Sequence, residues 1–166
     1  MLILGLDPGS RHTGFGVVRL RGQTLEAVQF GRISARRDAT LTARLGTIAA
    51  DLEELLHSLE PEAVAIESTF LGMNPRSLVV LSQARGALLG VVGRREIEVW
   101  EYSPAEVKNA VTGNGRADKG QVSRMVRTLL DLPDEKAPED ATDALAVAIC
   151  CAHRHKFAQL EEASRG

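Results

Sequence analysis

Cysteine is nearly missing from this chain. Two occur in 166 residues, side by side at Cys150 and Cys151, so neither a disulfide framework nor a C-x-x-C metal site is available. Both fall in an alanine-rich helical pattern, where a thiol is a small buried packing residue. No charged segment leading into an apolar stretch with a cleavage site is present, and no run reaches the length that spans a bilayer. A cytoplasmic protein with no membrane role is expected. Residues for a nucleophilic triad are absent in any recognisable form. The histidines (His12, His57, His153, His155) lack ligand spacing, since His153 and His155, two apart on a helix, do not share a face and read as surface residues. Excess positive charge is missing as well, and a net charge of −2 argues against a protein that coats nucleic acid. Internal repeats and low-complexity segments are not seen.

What is present is an ordinary single domain, with 44% hydrophobic and 25% charged residues, large enough to bury a sizeable core. Its charge is unevenly placed. Between Phe70 and Leu130 nine Lys and Arg stand against five acids, a local +4 that leaves −6 elsewhere.

The chain opens Met1-Leu-Ile-Leu-Gly-Leu-Asp7-Pro-Gly-Ser10. The aliphatic run suits a strand buried on both faces, and Asp-Pro-Gly stops it. Gly14 to Val18 and Leu25 to Ile33, around a turn at Gly22 and Gln23, complete a three-stranded meander. Leu41, Leu45, Ile48, Leu52, Leu55 and Leu59 form one stripe of a helix ending near Pro61. Ala63-Val-Ala-Ile66 is a short buried strand, and like the first it ends in a carboxylate, Glu67. Asn74-Pro75 caps a second helix running toward Gly93. Ile97 to Glu101 alternates as a fifth strand, and Ser103-Pro-Ala-Glu106 is a capping box for a short helix. A flexible loop from Thr112 to Ala117 and a cap-like Asp118-Lys-Gly-Gln121 lead into another helix, and Pro138 opens the last one. From Lys156 a frayed tail is expected. The strand-helix-strand connections make the first, fourth and fifth strands parallel in a mixed five-stranded α/β sheet flanked by helices.

Ligands gather at the carboxyl ends of parallel strands in such sheets, where Asp7 and Glu67 both sit. Asp140 and Asp143, three apart, share a face in the first turn of the last helix. Singly, each acid has a structural use as a turn former, a solvated strand end or a helix N-terminal acid. Together they would repel one another unless cations neutralise them. Hard oxygen donors select Mg²⁺ or Mn²⁺, and two such ions can activate a water and stabilise the leaving oxygen in phosphodiester cleavage.

Asp7-Pro-Gly-Ser-Arg-His-Thr-Gly-Phe-Gly16, Ala65-Ile-Glu67, Gln83-Ala-Arg-Gly86, Ser103-Pro-Ala-Glu-Val-Lys108 and Asp140-Ala-Thr-Asp-Ala-Leu-Ala146 closely resemble the RuvC family of bacterial Holliday junction resolvases. The five motifs run in order over nearly the whole chain. The resemblance implies a single RNase H-like nuclease domain over residues 1–157 with a flexible tail over 158–166. It further implies a homodimer that nicks four-way junction DNA symmetrically during recombination and repair, two Mg²⁺ per site with Mn²⁺ able to substitute, and RuvA and RuvB as branch-migration partners. On the family pattern the catalytic, metal-holding acids fall on Asp7, Glu67, Asp140 and Asp143, with Glu139 standing beside the third. Lys108 and Lys119 match DNA-contacting positions, Phe70 matches an aromatic of the junction-contacting loop, and Arg76 joins them as a DNA-binding residue. An opening Asp-x-Gly-Ser with a Gly-rich hairpin also resembles the phosphate hairpin of actin-like ATPases, but these need a second similar domain. A junction binder without catalysis and a nuclease acting on RNA are the remaining alternatives.

Overall fold

Alternation along the strands decides which layer each side chain joins. The computed structural model describes residues 1–68, 74–133 and 137–165, with the backbone alone for 159–165. Strand β1 (Leu2–Asp7) pairs antiparallel with β2 (His12–Arg21), and β2 with β3 (Thr24–Ser34), the expected meander. Helix α1 (Leu41–Leu59) returns the chain to β4 (Ala63–Glu67), parallel to β1. Helix α2 (Pro75–Arg94) then leads to β5 (Glu98–Tyr102), parallel to β4. The sheet order is β3-β2-β1-β4-β5, followed by α3 (Pro104–Thr112), α4 (Lys119–Leu129) and α5 (Glu139–Arg165).

Leu4, Leu6, Val64 and Ile66 pack with Ile48, Leu52, Leu56 and Leu88 in one core under α1 and α2. The intervening Ile3 and Ala65 join Val107, Val122, Val126, Leu145 and Ile149 in a second core on the opposite face. Val17 and Val18 of β2 enter different cores by the same alternation, and the register shift between them in the β2–β3 pairing leaves Val28 of β3 as the extra residue. Asp7 has the parity of Ile3 and Gly5, and Glu67 that of Ala65, so both acids point to the α5 face.

On that face α5 lies very close to the sheet. A methyl at Gly5 would overlap the Ala144 carbonyl oxygen, one at Gly14 the Asp140 carbonyl, and one at Gly16 the backbone and side chain of Leu145. Ala141, Ala144 and Ala148 supply the matching small surface and are fully buried. Cys150 and Cys151 are free and buried further along the same helix, with burial pushing their thiols up to about 12 and about 11.

Most element boundaries agree with the sequence expectation. Asn74 accepts from the Arg76 N–H with Pro75 at the first turn, and both Ser103 and Asp118 form complete capping boxes. Three readings need correction. The fifth strand starts at Glu98 rather than Ile97, because Glu96 in the left-handed region (φ 56°) turns the chain and pairing begins at Ala63 and Glu98. The segment after α3 is an ordered turn, not a loose loop: Gly113 caps the helix at φ 74°, and Asn114 accepts from the backbone of Arg116 and Ala117. The expected tail from Lys156, including 158–165, is helix as far as Arg165.

Gly5→Ala tests the close approach. The nearest obstacle is backbone, which cannot rotate aside, so the variant should lose about 1–3 kcal/mol and melt roughly 3–10 °C lower. An unchanged melting temperature would show that α5 does not rest on the sheet as described.

Candidate active site

Leu6 of β1 is in register with Ile66 of β4, so the next residues, Asp7 and Glu67, end adjacent parallel strands about 4.8 Å apart. Helix α5 brings Asp143 and Asp140 to the same end. Asp7, Glu67 and Asp143 line one cavity of about 300 Å³ together with Lys108 from α3 and Lys119 from α4, walled by Val107 and Val122. Asp140 stands at its margin, 3.7 Å from Arg32 Nη1 on β3. Arg32 belongs to the same cross-strand row, since Asp7 pairs with Gly14 and Gly14 with Arg32.

Like charges in a half-buried site make the acids hard to ionise. Asp7 is pushed up from 3.8 to about 7, first by burial and then by Asp143, Asp140 and Glu67, with Lys119 opposing. Glu67 is raised by burial and by Asp143, against Lys108 and Lys119. Lys119 Nζ donates to Asp143 Oδ2 and Glu139 Oε1, each at 3.1 Å. That bridge affects its two ends differently. The exposed ammonium is held firmly in its charged form, chiefly by the Asp143 hydrogen bond, whereas Asp143 is still raised because burial outweighs the lysine. Asp143 is the more buried partner, 31% exposed against 72% for Lys119, so it carries more of the desolvation cost.

The donor set is all carboxylate oxygen, the chemistry that hard divalent cations prefer. As the side chains stand, no three His, Cys, Asp or Glu groups among the described residues are gathered to enclose one ion, and the Lys119 ammonium supplies the local positive charge.

The other sequence-predicted residues lie elsewhere. Arg76 lines a separate hollow at the start of α2, and Phe70 lies outside the described residues. The reading of His153 and His155 as surface residues is corrected. His153 Nδ1 hydrogen-bonds the Ala110 carbonyl at 3.0 Å, and the His155 ring meets Trp100 edge-on with centroids 5.6 Å apart. Three contributors to the site were not foreseen: the glycines under α5, Arg32 beside Asp140, and Glu139 as the second anchor of Lys119. The glycines were detectable, because Gly14 and Gly16 alternate in a strand while alanines recur at helical spacing in α5.

A raised carboxyl pKa sets the sign of one pH effect. Between about 4 and about 7 the folded chain keeps a proton on Asp7 that the unfolded chain releases, so this stabilisation is full below about 4 and lost as pH rises through about 7. His153, lowered by burial, works in the opposite direction over part of this range, so the comparison must isolate Asp7. Without divalent cations, Asp7→Asn should match the parent chain in melting temperature only below about pH 4. Its advantage should grow with pH and be roughly 3–10 °C larger near pH 8 than near pH 5, equivalent to about 1–3 kcal/mol. A difference independent of pH would contradict the raised Asp7 pKa.

Known proteins share both this sequence and this architecture. A family model described as crossover junction endodeoxyribonuclease RuvC matches residues 3–151. The crossover junction endodeoxyribonuclease RuvC of Heliobacterium modesticaldum is 43% identical over 153 residues, 92% of this chain and 94% of that protein. That of Polynucleobacter asymbioticus is 48% identical over 156 residues, 93% and 90%. The T. thermophilus RuvC structure in complex with Holliday junction substrate matches with a TM-score of 0.89 at 33% identity, covering 95% of this chain and 96% of that one. The yeast mitochondrial Holliday junction resolvase Ydc2 shares the fold with a TM-score of 0.68 at 13% identity, covering 96% and 80%.

Proposed function

The chain belongs to the RuvC family of crossover junction endodeoxyribonucleases, and on that premise we propose that it is a structure-selective endonuclease that nicks four-way junction DNA during recombination and repair. The observation that carries this reading is the meeting of Asp7, Glu67 and Asp143 with Lys108 and Lys119 around one cavity at the carboxyl ends of two parallel strands.

The acids are the residues that would hold Mg²⁺, or Mn²⁺ in its place: Asp7, Glu67 and Asp143, with Asp140 at the margin. When bound, such ions supply an activated water and neutralise charge on the leaving oxygen. The remaining tasks fall to the chain itself. Lys119 balances the charge of Asp143 and Glu139, a charge that a bound divalent cation would share. Lys108 lines the cavity without an ion-pair partner among the described residues and is free to meet a backbone phosphate. Val107 and Val122 restrict water around the reacting phosphodiester and strengthen electrostatic contacts there.

Two symmetric nicks across a two-fold junction need two equivalent sites, so the active form is a homodimer with one site per subunit. RuvA and RuvB, which move the branch point, are the partners expected of this family. No helix among the described residues is long and apolar enough to cross a membrane; the proposed DNA substrate is what would place its action in the cytoplasm.

Asp7→Asn should abolish nicking of a four-way junction in Mg²⁺ while binding stays equal or tightens, because the substitution removes a metal ligand and also a charge that repels phosphate. Equal loss of binding and cleavage would sink the assignment. A second measurement needs no substrate. Millimolar Mg²⁺ should raise the melting temperature of the parent chain more at pH 8 than at pH 5.5, where protons occupy the acids, and should do so only weakly for Asp7→Asn. The same shift in both proteins would mean the ion binds elsewhere.

A further inference from the structure

Three arginines from three separate elements surround a hollow of about 410 Å³ outside the acidic cavity. Arg11 comes from the turn between β1 and β2, Arg44 from α1 and Arg76 from the first turn of α2, with Ser10 and Ser77 on the polar rim. No acid lines it. Several arginines elsewhere meet carboxylates, as Arg19 does Glu26, Arg85 Glu101, Arg95 Glu53 and Arg154 Glu106. Here the partners among the described residues are neutral: Arg44 Nε donates to the Ser10 carbonyl at 3.1 Å and Nη1 to the Ala39 carbonyl at 3.3 Å. These bonds fix the guanidinium in place and leave its charge unneutralised.

Three like charges held around one hollow repel one another, and the group that reverses the sign of that interaction is a tetrahedral oxyanion, which guanidinium forks match in geometry. The hollow is also close to the acids. Ser10 is three residues past Asp7, so chain reach keeps their Cα atoms within about 11 Å, roughly three nucleotide steps at 3.4 Å each. Helices α1 and α2 lie on the face of the sheet opposite α5, so a strand crossing the carboxyl edge from the acidic cavity would meet the hollow next.

We propose that Arg11, Arg44 and Arg76 form a second anionic subsite that grips a backbone phosphate of the strand whose cleavage point lies in the acidic cavity, an inference that rests on the nuclease reading above. Binding of a labelled four-way junction, measured against salt concentration in EDTA, tests it. The log–log slope should fall by about one unit for Arg11→Ala and again for Arg76→Ala, with melting temperatures unchanged because both side chains are exposed. Lys108→Ala serves as the reference within the cavity. If the parent and Lys108→Ala bind with the expected salt dependence but both arginine variants keep the full slope, the subsite is refuted and the nuclease reading stands. If the parent shows no salt-dependent junction binding, the nuclease reading falls and takes the subsite with it. A parallel titration with inorganic phosphate separates a strand-binding site from one for a free anion. Stabilisation of the parent that the Arg11→Ala/Arg76→Ala double variant loses, without any change in junction slope, would also overturn the proposal.

Discussion

The contact on which this structure depends is the close approach of α5 to the first two strands. Gly5, Gly14 and Gly16 have no side chain to hold the helix off, and Ala141, Ala144 and Ala148 present almost none in return. Packing of this kind gains dispersion contacts over a long line of backbone. Its functional consequence is positional. Because the Asp140 carbonyl rests over Gly14, and Gly14 is the cross-strand neighbour of Asp7, the first turn of the last helix is pinned beside the end of the first strand. Without that seat, Asp143 would have no reason to share a cavity with Asp7 and Glu67.

Pinning the acids together has an energetic cost that the rest of the domain must offset. Burial and mutual repulsion raise Asp7, Glu67 and Asp143, which is stability given up at neutral pH in exchange for a site able to attract cations. Two features limit the loss. Lys119 supplies one positive charge to Asp143 and Glu139. The two cores on either side of the sheet contain fully buried Leu4, Leu6, Ile48, Leu52, Leu56, Leu145 and Ile149, each contributing roughly 1.5–3 kcal/mol before chain entropy is counted.

Much of this was legible in the sequence because the signals are local. The Asp-Pro-Gly stop, the Asn74-Pro75 start and the two capping boxes are satisfied by neighbours in the chain, and strand and helix periods separate cleanly. The placement of Asp7 and Glu67 followed from strand order alone. What was missed depends on distant residues meeting. Nothing near Lys119 in sequence announces Glu139 or Asp143 twenty or more residues away, and Arg32 reaches Asp140 only because β3 lies beside β2. Beyond Lys156 the last helix continues as far as Arg165, and no glycine or proline interrupts it there.

The end of β1 serves both faces of the sheet, and this follows from parity and chain direction. Asp7 points toward α5, into the acidic cavity. The next residues turn across the carboxyl edge, so that within a few positions Ser10 receives Arg44 from α1 on the opposite side. Carboxylates therefore collect on one side of a single turn, alongside Lys108 and Lys119, and arginines without carboxylates line the hollow on the other. A polyanion laid across that edge would meet carboxylates that exclude it unless cations are present, and then guanidinium groups that attract it in any case. Binding and cleavage can thus be governed by different residues only a few positions apart in the chain, and the loss of one need not entail the loss of the other.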